Sequence, residues 1–315
     1  MITRFIDANR EAVVEGRRLG VEPICRVLSQ HGVKIAASTY YAAKTRPPSS
    51  REVRDGELRP RLRRLWEENY RAYGARKLWK AARRAGLDVG RDQVARLMRA
   101  EGIAGAVRTK KVRTTRPEPT AARHPDLVGR EFTADMPNRL WVTDLTYVPT
   151  WAGVVYVCFI IDAFSRMIVG WRVAANMRTQ IVLDAIEMAR WSRGANLPGL
   201  RCHSDAGSQF TSLRYGERLA EIGATPSIGS VGDSYDNALA ETVNGYYKAE
   251  LIRGPIRQER GPWKSVEDVE LATLSWVHWH NTQRLHGYLG DLPPKEFEEA
   301  YYAAQDSDQP LVGIQ

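Results

Sequence analysis

Apolar residues recur along this chain with two periods, and the change between them falls near Asn138. Before it the spacing is helical. A first segment, 7–19, carries Val13 and Val14, and a second, 21–30, carries Val21, Ile24, Val27 and Leu28 on one face. His31-Gly32-Val33 reads as a turn, and Ser38 to Lys44 as a short helix capped by Ser38. Helix, glycine turn and polar-aromatic helix outline a helix-turn-helix-like region over 1–46, closed by Arg46-Pro47-Pro48-Ser49-Ser50. A three-helix region is predicted over 51–105. Its helices run from Arg54 to Asn69 (Leu58, Leu62, Leu65 and Trp66 on one face), from Tyr73 to Arg84 before Gly86, and from Arg91 to Ala100.

After Asn138 the period falls to two. Strands are predicted at 140–148, 153–162 and 167–174, and the middle one, apolar on both faces, suits a central strand. A helix at 179–193, a strand at 200–205, a helix at 211–222 and a strand at 225–228 come next. The glycine- and serine-rich stretch 229–236 reads as a mobile loop. It leads into a helix with Asp236 or Asn237 as its cap and a stripe of Leu239, Val243, Tyr246, Tyr247 and Leu251. An amphipathic helix at 265–283 and a terminal helix after Pro293-Pro294 complete the chain. The order is that of an α/β protein with a mixed sheet, preceded by all-helical modules.

Charge sharpens this division. The net charge is +4 over residues 1–50, +12 over 51–123 and −7 over 124–315. Such a split gives the first part a polyanion to hold and the second part other work. The arginine-rich helices of 51–105 suit phosphate contacts, which position DNA without reading its sequence, and 106–123 reads as a basic linker holding Lys110 and Lys111. Cys25, Cys158 and Cys202 are odd in number and unpaired in spacing, which argues against a disulfide framework and a thiolate zinc site. No apolar run reaches the ~18 residues of a membrane span, and the N-terminus lacks an apolar leader segment. The expectation is a soluble, cytoplasmic protein.

The candidate chemistry lies in three carboxylates. Asp144 sits in the strand-like 140–148, Asp205 ends the strand 200–205 before a glycine turn, and Glu241 lies on the helix that also carries Lys248. At ~100° per residue, Glu241 and Lys248 share a face away from the apolar stripe. Magnesium takes oxygen ligands and leaves positions open for water and phosphate, and two such ions can serve both the attacking and the leaving oxygen. Asp144, Asp205 and Glu241 meet that need if two strand ends and one helix converge. Singly, each acid could equally be a solvated charge, and His203 a satisfied core histidine. Asp162, the rival carboxylate, reads as structural.

The motifs Trp141-Val142-Thr143-Asp144-Leu145-Thr146-Tyr147, His203-Ser204-Asp205-Ala206-Gly207-Ser208-Gln209-Phe210 and Asp236-Asn237-Ala238 with Glu241 and Lys248 give the chain a family likeness. It resembles bacterial insertion-sequence transposases of the Asp-Asp-Glu, retroviral-integrase-like class, specifically the second-frame product of the family expressed by frameshifting. Asn281, Arg284, His286 and Leu289-Gly290 fit the C-terminal motif of that family, and Tyr73 to Leu78 its arginine-rich region. Phe210 stands where an aromatic, often tyrosine, is usual.

The resemblance implies a ribonuclease-H-like, mixed five-stranded sheet with flanking helices, preceded by helical DNA-binding modules. The catalytic core would run over 124–295, with a terminal helix and tail at 296–315. It also implies DNA cleavage followed by strand transfer, with Asp144, Asp205 and Glu241 as catalytic metal ligands for two Mg2+ ions, Mn2+ substituting. DNA contacts would come from Lys248, His203, Asn244, Arg76, Lys77, Lys80, Lys110 and Lys111. The implied partners are double-stranded DNA (element ends and target), further copies of the chain on DNA, and the first-frame product or its fusion, with no membrane. No sustained heptad pattern of the first-frame kind is present. A nuclease of the same fold that cleaves without joining, and a DNA-binding regulator with an idle core, remain the alternatives.

Overall fold

The computed structural model describes residues 2–14, 16–107, 125–205, 207, 209–229 and 237–307. The predicted basic linker with Lys110 and Lys111, most of the glycine-serine loop and Asp236 lie outside the described residues. The chain divides into two units, 1–59 and 60–315.

In the first unit, α1 (Ile2–Asn9), α2 (Val21–Gln30) and α3 (Ala37–Thr45) bury Ile6, Val21, Ile24, Cys25 and Tyr40. The Tyr40 hydroxyl donates to Asp7 Oδ1 at 2.7 Å and Lys44 to Oδ2 at 2.6 Å. The helix predicted over 7–19 is not formed. Val13–Val14 (β1) and Arg17–Arg18 (β2) make a two-stranded antiparallel hairpin, so this part is not wholly helical. Two adjacent β-branched valines resist helix, and Gly16 at φ 77° accepts a turn that other residues strain to adopt. Ser38 lies inside α3 rather than capping it; the N-cap is Ala36.

The helix α4 (Ser50–Glu68) opens on a reciprocal cap. Ser49 N donates to the Glu52 carboxylate, and Glu52 N donates to Ser49 Oγ. The division of the chain falls within this helix, nine residues after the predicted boundary, because its later turns are tied to residues 101–104. Arg63 pairs with Glu101 and Trp66 Nε1 donates to Ala104 O at 2.9 Å. α5 (Ala75–Arg84) and α6 (Arg91–Glu101) form as predicted.

The larger unit is built on a five-stranded sheet. β3 (Leu140–Thr150), β4 (Gly153–Asp162) and β5 (Ile168–Ala174) form an antiparallel meander. β6 (Arg201–Ser204) and β7 (Thr225–Ile228) add in parallel on the other side of β3, giving the order β5-β4-β3-β6-β7. Strand alternation divides the side chains between two faces. Trp141, Leu145, Cys158, Ile160 and Cys202 pack with residues of α7 (Thr179–Arg193) and α8 (Leu213–Glu221). On the opposite face, Phe159 of β4 meets Tyr247 of α9 (Ala238–Tyr247) and Trp276 of α11 (Val266–Thr282), at ring-centroid distances of 5.0 and 6.0 Å.

Between these two helices lie a five-residue π-helical turn, Lys248–Ile252, and α10 (Pro255–Arg260). α12 (Pro294–Ser307) packs against the turn that leads into β5, where Glu298 takes Arg193 and the Ser165 hydroxyl. Asp162 is structural, as predicted: its fully buried carboxylate accepts from the amides of Asn138, Phe164 and Ser165. All three cysteines are free and buried.

Candidate active site

The two aspartates are brought together by strand register. β3 and β6 run parallel and share only three rungs, the last pairing Val142 with His203. Asp144 and Asp205 each lie two residues past that rung, so both emerge on the α9 side of the sheet, on neighbouring strands whose usual spacing is about 4.8 Å. Beyond the rung the pairing stops, at the carboxyl end of β6, the end of the strands at which α/β sheets bind ligands.

The start of α9 is pinned to the same end of the sheet. Asn237, a helix cap by its residue type, makes no capping bond; its Nδ2 donates instead to Thr143 O at 3.0 Å. Two turns further, Asn244 Nδ2 donates to Asp144 Oδ2 at 2.9 Å. Glu241 lies between these anchors, half-buried, on the first turn of a helix whose N-terminal dipole favours negative charge. Asn244 is buried although it stands outside the predicted apolar stripe, because it faces the Asp144 carboxylate.

Electrostatics mark the site as uncompensated. Burial, reinforced by the Asp205 and Glu241 charges, pushes Asp144 up to about 7 against its bonds from Leu145 N and Asn244. Asp205 is raised by burial and then by Glu241, opposed by the Gly207 amide and His203. Among the described residues, no three histidine, cysteine, aspartate or glutamate side chains are already drawn into a set able to hold a metal ion. The three expected acids are thus not drawn into one ligand set, although the charges of Asp205 and Glu241 are felt at Asp144. The donor set still suits a hard divalent ion: it is all oxygen, and the Oδ1 atoms of both Asn237 and Asn244 are buried without a hydrogen-bond partner.

An integrase core domain model matches residues 134–234 and a second matches 222–294, while an HTH-like domain model matches 53–111. The chain is 55% identical over 283 residues to the protein named as putative transposase for insertion sequence element IS986/IS6110 in Mycobacterium tuberculosis, covering 89% of this chain and 99% of that one. The chain belongs to the insertion-sequence transposase family.

The transposase of IS629 from Shigella sonnei is 48% identical over 92% of this chain and 95% of its own. With the integrase core matches, this membership makes the five-stranded sheet that of an integrase-type, ribonuclease-H-like DNA transposase. The catalytic core domain of HTLV-2 integrase, solved with magnesium, superposes with a TM-score of 0.41 at 16% identity, over 52% of this chain and 98% of that chain. The HTH-like match falls on the segment read from sequence as an arginine-rich three-helix region, one element later than the helix-turn-helix outline in 1–46.

The other predicted DNA contacts of the transposase occupy varied settings. Lys248 directly succeeds α9, its Nζ 4.7 Å from the ring centre of Tyr147, an exposed β3 residue three positions past Asp144. His203 is fully buried, with Nδ1 2.9 Å from Ser227 Oγ and its ring edge-on to Phe132; it supports β6 instead of facing solvent. Asn244 holds Asp144. Arg76 makes a two-pronged ion pair with Asp291 at 2.9 and 2.8 Å, with Lys80 at 3.6 Å from the same carboxylate. Lys77 lies over the rings of Tyr73 and Tyr246. These three cations of α5 are engaged within the protein, a use that charge counting alone does not distinguish from DNA contact. No helix among the described residues is long and apolar enough to cross a membrane.

Proposed function

We propose that Asp144, Asp205 and Glu241 are the catalytic ligands of this transposase, holding two Mg2+ ions, for which Mn2+ substitutes. The reaction is strand cleavage at each end of an insertion sequence, then transfer of the freed end into target DNA. The observation that carries this reading is the shared Val142–His203 rung, which sets two half-buried aspartates side by side under the first turn of a third acid's helix. When bound, the divalent ions supply activation of the attacking oxygen and charge stabilisation of the leaving one.

The residues of the chain supply geometry and local charge. Asn244 holds the Asp144 carboxylate toward α9, the Leu145 and Gly207 amides fix one oxygen of each aspartate, and Asn237 keeps β3 joined to the helix. Lys248, one helical face along from Glu241, contacts a backbone phosphate near the scissile bond. In the first step a water oxygen attacks phosphorus and displaces the element's 3′ oxygen from its flank. In the second that 3′ hydroxyl attacks a target phosphodiester, so each bond broken is replaced by one formed.

Duplex DNA is the partner at both steps, and several copies of the chain act together on it. The first-frame product or a fusion with it supplies end recognition, and the site of action is nucleoid DNA in the bacterial cytoplasm. The test is incubation of the full chain with an element-end duplex, magnesium and a plasmid. Joined products support the reading; cleavage without joining would make the protein a nuclease, and binding alone a regulator.

A further inference from the structure

A second cluster of buried charge lies at the other end of the helix that carries Glu241. Where α9 stops, the chain passes through the π-helical turn Lys248–Ile252, and Glu250 of that turn is buried. Its carboxylate is held by Arg284, with Nε at 3.1 and 3.0 Å from the two oxygens and Nη2 at 2.6 Å from Oε1. Arg284 is only 1% exposed. Its guanidinium lies 3.9 Å from the centre of the Tyr246 ring, so one side chain grips α9's last turn and the π-turn together. A Cβ at Gly254 would strike the Glu250 carbonyl oxygen, so only glycine lets the chain fold back against this turn.

Single π-turns inserted in helices recur at functional sites, and they shift the helical register downstream. Here the shift begins at Lys248, seven residues after Glu241. The HTH-like segment closes over the same cluster. Leu285 N donates to the Tyr73 hydroxyl at 2.8 Å, Trp279 Nε1 to Asn69 Oδ1 at 3.2 Å, and Lys77 lies between the Tyr73 and Tyr246 rings. Arg76 and Lys80 meet Asp291 a few residues beyond His286.

We infer that Arg284 is a positioning residue: by clamping Glu250 and Tyr246 it fixes the register of α9, and so sets Glu241 and Lys248 at the candidate site. Tyr73, from the HTH-like segment, completes the clamp by holding the backbone beside Arg284. The helical region matched to an HTH-like domain is thereby coupled mechanically to the catalytic glutamate. This inference rests on the metal-ligand reading of Asp144, Asp205 and Glu241. The surroundings agree with a rigid, water-poor clamp: burial and then the Arg284 charge bring Lys77 down to about 7, and burial drives His280 and His286 well below their usual value.

The experiment uses the full chain with Arg284→Lys, which keeps charge but loses the planar fork, and Tyr73→Phe, which removes one hydroxyl. For each, four quantities are measured: the joining rate at saturating DNA, manganese affinity by calorimetry, DNA affinity and Tm. Arg284→Lys is expected to slow joining about tenfold to a hundredfold, the scale of small misplacements at a reacting centre. Manganese affinity should fall with it, while DNA affinity stays within about twofold, since phosphate contacts elsewhere dominate binding. Tyr73→Phe should move rate and manganese affinity the same way by less, and it decides the matter if Arg284→Lys does not fold. Wild-type joining rates and manganese affinity in the folded variants overturn the inference, as does a loss explained wholly by a reduced folded fraction. A wild-type chain that binds manganese with Glu241 but does not join DNA would overturn the transposition chemistry, and the manganese arm would still judge the clamp.

Discussion

Two charged clusters, one half-buried and one buried, lie at opposite ends of α9, and they are built on opposite principles. At its start Asp144, Asp205 and Glu241 lie at the candidate site. Among the described residues no arginine or lysine hydrogen-bonds to Asp144 or Asp205, and both aspartates are raised. At its end Glu250 is matched by Arg284 through three short contacts, with neutral histidines around it. Burying an unpaired charge is costly, whereas a well-bonded pair roughly offsets its own desolvation. The raised aspartates suit the metal-ligand role proposed for them, and the paired end suits the anchoring role inferred for Arg284.

The sharpest way to break this contrast is to remove an acid. Asp144→Asn, Asp205→Asn and Glu241→Gln should each lower cleavage and joining by at least about a hundredfold, as loss of one charge-stabilising group does. DNA affinity in a filter or fluorescence assay should stay near wild type. An active Glu241→Gln would return that glutamate to the solvent face of its helix. Lys248 comes next: Lys248→Ala should cost joining about tenfold to a hundredfold through misplacement of the phosphate. Lys248→Arg should recover part of that, and wild-type rates for Lys248→Ala would deny it any part in the reaction.

The same contrast has a signature in stability. Asp144, raised from 3.8 to about 7, binds its proton more tightly in the folded chain. Its effect is therefore destabilising once pH rises through that window, in the absence of metal. Asp144→Asn should be the more stable protein at pH 8, by about 3 °C or more in Tm, and the gap should close toward pH 5 or on adding magnesium. A gap that does not depend on pH would remove the electrostatic account.

The smallest expected effect has the opposite sign. His280 and His286 are held well below 6.5 by burial, so the unfolded chain takes up protons that the folded chain refuses. Their contribution is intact above pH 6.5 and lost progressively below it. In the Asp144→Asn background, Tm should fall modestly between pH 6.5 and 5, and scanning calorimetry would show a flat profile if the histidines titrate normally.

Much of this arrangement is legible in the sequence because its signals are local. The two-sided apolar run 153–161 marks an interior strand, although the middle place in the sheet falls to β3, and the 3.6 period sets α7 at 179–193. The alternation after Leu140 already puts Asp144 opposite Trp141 and Leu145. The features that stay hidden depend on partners far along the chain. Tyr73 and Leu285 lie 212 positions apart, and Glu250 and Arg284 lie 34 apart, so no periodicity links them. Asn237 reads as a cap because residues of its type usually are, yet the open edge of β3 presents Thr143 O as a nearer partner than the helix end. Asn244 is visible three residues beyond Glu241, but its side-chain direction toward Asp144 requires the sheet. The hairpin at 13–18 escapes because two valines fit either period over so short a stretch.

The rung shared by Val142 and His203 has a consequence for how this chain tolerates insertions and deletions. From that rung each aspartate is two residues away, and strand alternation makes the step indivisible: deleting one residue would turn the carboxylate toward α7 and α8. The stretch between Asp205 and Glu241 is under no such rule, since the start of α9 is located by Asn237 on Thr143 and not by the length of chain before it. Residues added within the turn after α8 should therefore be absorbed with the catalytic geometry intact, while loss of Thr143 should both silence the enzyme and destabilise it, since a carboxylate would then enter the apolar core.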